Sequence, residues 1–130
     1  MNGYQRKFNA PADGYLYLNL IKNPTYEVEG VLVKIKEEDL PKLIKREVGY
    51  ECVNVTDNID RNVKADIFTF IAPDKSYPDM KILQSYINTC LGGVVERKRQ
   101  RWLLETVLVN KIEDDTNNPQ YEFASDVGCG

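Results

Sequence analysis

The clearest pattern in the chain is a strict alternation. In residues 15–21, Leu16, Leu18 and Leu20 fall on one face and Tyr15, Tyr17 and Asn19 on the other, which predicts a half-buried strand. Residues 4–9 read as a short strand before it, joined by a turn-rich loop over 9–14, and Asn23-Pro24 is expected to break the strand. Residues 26–35 predict a further strand with Gly30 inside it. Its end, Val31-Leu32-Val33-Lys34-Ile35, is apolar on both faces, as in a central or barrel strand. A short helix follows, capped by Asp39, with Pro41 in its first turn and Leu40, Leu43 and Ile44 as its buried stripe. Gly49 ends it.

Residues 50–56 and 65–72 predict a hairpin. Asp79 is placed to cap a helix whose face is Met80, Leu83, Tyr86, Ile87, Cys90 and Leu91, closed by Gly92-Gly93. Residues 94–105 predict another helix and 106–112 a strand. Residues 113–130 are polar apart from Tyr121 and Phe123 and read as a loosely ordered tail. The order is strands, short helix, hairpin, helices. It predicts an α+β fold with a mainly antiparallel sheet or small barrel and helices outside it. With no repeat and no long linker, residues 1–112 read as one domain.

Composition narrows the chemistry. The 130 residues are 42% hydrophobic and 28% charged, an ordinary globular balance. A net charge of -3 gives no electrostatic case for nucleic acid or an acidic membrane. No apolar run reaches the ~20 residues of a membrane span, and the first residues do not form a signal peptide. Cys52, Cys90 and Cys129 are odd in number and widely spaced, which argues for a reducing, cytoplasmic setting. Asn54-Val55-Thr56 is then a chance sequon match. The chain contains no histidine, so His-dependent serine and cysteine hydrolases and most zinc enzymes are excluded. There is no Gly-rich phosphate loop, no dinucleotide fingerprint and no C-x-x-C pair, and no cofactor or metal is called for.

Among single features, the basic run at 97–101 reads as a solvated helix face, Cys90 and Trp102 as core residues, and most tyrosines as half-buried strand positions. Glu47 differs in its setting, at the end of a short helix with a strand directly after. From there a carboxylate can point back over the sheet. The competing reading is a solvated helix-end residue paired with Lys45 or Arg46.

At these residues the chain resembles the γ-glutamylcyclotransferase-like family, which includes the γ-glutamylamine cyclotransferases and the plant avirulence-induced proteins. Asn2-Gly3-Tyr4-Gln5-Arg6-Lys7-Phe8-Asn9 is similar to the family's second strand. Val28-Glu29-Gly30-Val31-Leu32-Val33-Lys34-Ile35 is similar to the strand with its x-G-x-x-y-x-v pattern. Glu38-Asp39-Leu40-Pro41-Lys42-Leu43, with Glu47 and Tyr50, resembles the stretch L-x-x-L-D-x-x-E-G-x-x-Y. Ala65-Asp66-Ile67-Phe68-Thr69-Phe70-Ile71-Ala72 is similar to the next strand, and Pro78-Asp79 with the helix after it to the P-S-x-x-Y helix. The resemblance spans residues 2–105 and rests on the joint order of these segments.

The resemblance implies a small β-barrel flanked by helices, with Glu47 as general acid/base and a cavity that Glu47 lines together with Tyr50 or Tyr4. The reaction it implies is cyclisation of a γ-glutamyl amide to 5-oxoproline and a free amine. The nucleophile is the substrate's own α-amine, so one carboxylate, held in a partly apolar cavity, suffices for both proton transfers. Departures from the family are specific. No Tyr-Gly-Ser occurs, so the family's first strand and its Y-G-S-L loop have no counterpart. Ile44 stands where the family has aspartate, Val48 is an extra residue before Gly49, and Ile82 replaces the helix tyrosine. The acid/base position is kept while much of the substrate cradle is lost, so weak or no turnover is expected of these 130 residues. The alternatives are a non-catalytic barrel that binds a small ligand or protein, and an N-terminally shortened enzyme. Two strand edges should lie unpaired, inviting a homodimer, and residues 106–112 are expected to pair with the sheet within the chain or across that dimer.

Overall fold

The computed structural model describes residues 1–61 and 63–121. It begins with a long antiparallel hairpin, β1 (Asn2–Ala12) and β2 (Tyr15–Glu27), in register Tyr4↔Lys22, Arg6↔Leu20 and Phe8↔Leu18. The loop expected over 9–14 contracts to two residues. Asp13 (φ 50°) and Gly14 (φ 84°) are both left-handed, as a two-residue turn that matches strand twist requires. The break expected at Asn23-Pro24 appears as an irregularity rather than an end. The register slips between Asn2↔Glu27 and Tyr4↔Lys22, and the Asn23 carboxamide oxygen accepts the Thr25 N–H and hydroxyl while its Nδ2 donates to Gln5.

The strand expected over 26–35 does not form beyond Glu27. Residues 28–36 have no regular structure, and Val31 to Ile35 are exposed. Strand composition alone does not make a strand; a neighbouring edge must take its backbone groups, and here Val28 finds one at Met1, its N–H donating to the Met1 carbonyl and its carbonyl accepting from the Met1 ammonium, while residues 29–35 find none among the described residues. α1 (Leu40–Arg46) forms as expected, but Asp39 makes no side-chain cap bond and no residue of the helix is buried. The hairpin β3 (Glu51–Asn54) and β4 (Phe68–Ile71) pairs antiparallel, within the limits read from sequence.

β5 (Ile82–Leu83) precedes α2 (Gln84–Gly92), so the helix starts five residues after Asp79 and Asp79 is not its cap. The capping comes from far along the chain: Asp115 accepts the Ser85 N–H at 2.8 Å and its hydroxyl at 2.5 Å. The helix expected over 94–105 is a 3-10 turn, Glu96–Lys98, leading into α3 (Arg99–Leu104). β6 (Ile112–Glu113) runs parallel to β5. The strand expected over 106–112 is not continuous: Val107 alone bridges β1, exchanging bonds with Arg6 and Phe8 on its outer edge, residues 108–111 have no strand structure, and Ile82 N–H donates to the Lys111 carbonyl where β6 begins. Residues 113–121 are held, not loose; besides Asp115, the Tyr121 hydroxyl donates to that of Tyr17 at 2.8 Å. Residues 122–130, with Phe123 and Cys129, lie outside the described residues.

The protein is thus a small α+β structure with two antiparallel strand pairs and one parallel pair. These pairs do not join into a closed barrel among the described residues. The main core is Phe8, Leu16, Ile82, Ile87, Cys90 and Trp102, between the first hairpin and the helices α2 and α3. A smaller one is Tyr4, Val28 and Val55. Among the described residues no helix is long and apolar enough to cross a membrane.

Candidate functional site

Glu47 caps the C-terminus of α1. Its N–H donates to the Leu43 carbonyl, and its own carbonyl accepts the Tyr50 N–H across the turn that Gly49 (φ 87°) completes. A residue with a β-carbon is strained at that φ, which is why the glycine sits there. Glu47 is half-buried. Among the described residues no hydrogen bond or ion pair engages its carboxylate, so neither Lys45 nor Arg46 holds it.

The turn brings Tyr50 back against the sheet. Its ring is half-buried and its hydroxyl donates to the Leu18 carbonyl of β2 at 3.3 Å. Burial, and after it the nearby Glu47 charge, raise the Tyr50 phenol above its ordinary pKa, so it stays protonated and able to donate at neutral pH. Glu47 and Tyr50 are therefore brought together. Tyr4 is not part of this arrangement. It is 5% exposed and packs with Val28 and Val55, because the β1 pleat sends it inward with Arg6 and Phe8.

A cavity of about 990 Å³ opens between β2, β4 and the irregular segment after Val28. Leu18, Leu20, Val28, Phe68 and Phe70 supply much of its wall. None of Glu47, Tyr50 and Tyr4 lines it. Tyr50 touches its wall by the bond to Leu18, and Tyr4 lies behind it, packed on Val28 and Val55, which do line it.

One charged residue of this cavity was missed by sequence reasoning. Arg6 lines it and is only 5% exposed. Its guanidinium lies over the Trp102 ring, 4.7 Å from the centroid, with Nε donating to Thr106 Oγ1 at 2.9 Å and one terminal nitrogen to the Trp102 carbonyl at 3.3 Å. Glu105 stands off at 3.9 Å. Burial lowers the Arg6 pKa, against the opposing effect of the Glu105 and Glu29 charges, and it remains a cation. The signal was present in the sequence: Arg6 occupies the inward phase of the Tyr4–Arg6–Phe8 alternation, where a charge needs a reason.

The basic run is used within the chain. Arg99 donates to the Leu91 carbonyl in the last turn of α2 and to the Val94 carbonyl just after it, Arg101 pairs with Glu105, and Lys98 pairs with Glu29 at 3.2 Å. Compared with family models, curated proteins and solved structures, the chain gives no match.

Proposed function

We propose that the protein is γ-glutamylcyclotransferase-like, with Glu47 as general acid/base toward a small γ-glutamyl amide. The observation that carries this reading is the Glu47–Tyr50 pair at the helix-to-strand junction, with a carboxylate that no other described group occupies. In the reaction Glu47 takes a proton from the substrate's α-ammonium. The freed amine attacks the γ-carbonyl carbon, forming the ring C–N bond. The amide C–N bond then breaks as Glu47 returns that proton to the departing amine, and the second proton on the ring nitrogen passes to the freed amine, which leaves as its ammonium; the products are 5-oxoproline and that ammonium. Tyr50, kept neutral, would donate to the developing oxyanion only by releasing the Leu18 carbonyl that its hydroxyl now bonds. The barrel that the resemblance implies would require the β1–β2 and β3–β4 ladders to be joined.

The assay is 5-oxoproline release from a panel of γ-glutamyl amides. Glu47→Gln is expected to lower turnover by roughly 10²–10⁴-fold and to shift stability by less than about 0.5 kcal/mol. Turnover unchanged in the variant would remove Glu47 from the mechanism.

A second reading has its own observation. The cavity is lined not by Glu47 but by Arg6 and Lys98 together with Glu27, Glu29 and Asp60, which favours a non-catalytic domain that holds a small ligand bearing both charges. Calorimetric binding of glutamate without turnover, lost in Arg6→Met, supports that reading over the first.

A further inference from the structure

The cavity has the chemistry of a slot for one extended strand. In an antiparallel ladder the N–H and C=O of alternate residues turn away from the partner strand. On β2 the outward residues are the even ones: Leu16 N–H bonds to Lys81 and Leu18 N–H to the Tyr86 hydroxyl, both on the side away from β1. Leu20 continues that phase opposite Arg6, whose own carbonyl also faces outward, to Val107. Just past the β3–β4 ladder the Ile67 carbonyl turns toward β3 and accepts the Val55 N–H, while the Ala72 N–H points away, so Phe68 and Phe70, in the phase of Ala72, face outward as well. Leu20, Phe68 and Phe70 all line the cavity. Among the described residues no hydrogen bond takes their outward backbone groups.

At one end the slot is closed. The Asn19 carboxamide accepts the Ala72 N–H at 2.9 Å and donates to the Ala72 carbonyl at 3.0 Å, imitating the missing strand for one residue. Beyond it, two edges carry orphan donors and acceptors, the situation in which a sheet recruits another strand.

The same chain carries an unused strand. Residues 31–35 are apolar on both faces, lie beside the slot, and have no ladder; Val31 is 79% and Val33 77% exposed. Lys34 and Lys36 alternate with these side chains, while Glu27 and Asp60 on the slot's rim have no ion pair among the described residues. Slot and strand sit on one patch, which is what a two-fold interface needs, because each copy then offers what the other lacks. We propose that a second copy of this chain fills the slot: residues 31–35 of each protomer enter between β2 and β4 of the other as an added strand. The inference does not depend on the catalytic reading above.

Sedimentation equilibrium and light scattering over a dilution series test it. The chain is expected to form a dimer that dissociates on dilution. Val33→Lys, on an exposed segment with no fold to disturb, should raise the dissociation constant by about tenfold or more, the equivalent of one lost buried valine. Phe68→Pro removes an outward donor while sparing the β3 ladder and should weaken the dimer likewise. Val109→Lys, equally exposed but away from the slot, should change nothing. A chain that stays monomeric at all concentrations overturns the proposal, whatever isolated peptides it binds. So does a dimer indifferent to both Val33→Lys and Phe68→Pro, or one disrupted as strongly by Val109→Lys.

Discussion

The two halves of this molecule make sheet and helix on different terms. The first hairpin with α2 and α3 is built around side chains that water does not reach: Ile82 and Cys90 are fully buried, Leu16 nearly so. Aromatic rings meet edge to face across it, Phe8 against Tyr86 and Trp102, and Tyr86 against Tyr17 and Tyr121. The region from Val28 to Ile71 has the same share of apolar side chains to offer but buries few. Its helix buries none, and its hairpin is joined to the rest chiefly by Asn19 and by the small cluster of Tyr4, Val28 and Val55. The difference is one of partners. An amphipathic helix or a strand is stabilised by the surface it lies on, and the second region lacks that surface on the side where the cavity opens.

The largest expected effect lies in the first half. Phe8→Ala should cost about 3–5 kcal/mol by opening a cavity among rings that cannot collapse into it. Ile44→Ala, at an exposed position of α1, should change stability by less than about 0.5 kcal/mol. Urea unfolding of both variants measures the contrast, and equal losses would mean that α1 packs on a surface as extensive as the one around Phe8.

The joint between the halves is next. Asn19→Ala leaves the buried Ala72 N–H and C=O without partners and should cost about 3 kcal/mol. Hydrogen exchange should show the loss concentrated in β3 and β4. If protection falls evenly through the α2–α3 half as well, the two regions unfold as one unit and the distinction drawn between them fails.

The smallest effect concerns the segment that staples the first half shut. Burial raises the Asp115 pKa, but hydrogen bonds from the Ser85 hydroxyl and N–H and from Gln120 N–H outweigh it, and the net direction is downward. A carboxylate depressed in the folded state stabilises above its unfolded pKa, and that contribution is lost as pH falls through the folded one. Thermal melts should therefore show an acid-side decline that is shallower in Asp115→Asn. Parallel declines in the two proteins would assign the acid sensitivity elsewhere.

Much of the fold was legible because some signals are local. Alternation at Leu16, Leu18 and Leu20 marked β2, Pro41 and Gly49 bracketed α1, and the positions of β3 and β4 followed from two apolar runs around a polar one. Glu47 and Tyr50 were legible as neighbours because a turn of three residues fixes their approach. Tyr4 was misplaced, because the inward pleat that hides it is set by what covers β1. Arg6 is the intermediate case: its inward phase is readable, but the groups that hold its charge, Trp102 and Thr106, lie about a hundred positions away.

By itself, then, the sequence determined the α+β class, the first hairpin, α1, the β3–β4 pair and the residue types available for chemistry: carboxylates, phenols and a guanidinium, without histidine. Tertiary structure alone decided which strand-like segments found a sheet edge. Residues 31–35 and 106–112 have similar composition, yet Val107 found the open edge of β1 and Val33 found none. It also decided that Asp115 rather than Asp79 caps α2. The physical reason is the same in both cases: a backbone donor or acceptor is satisfied by whatever group the fold brings within about 3 Å, and sequence separation does not enter that distance.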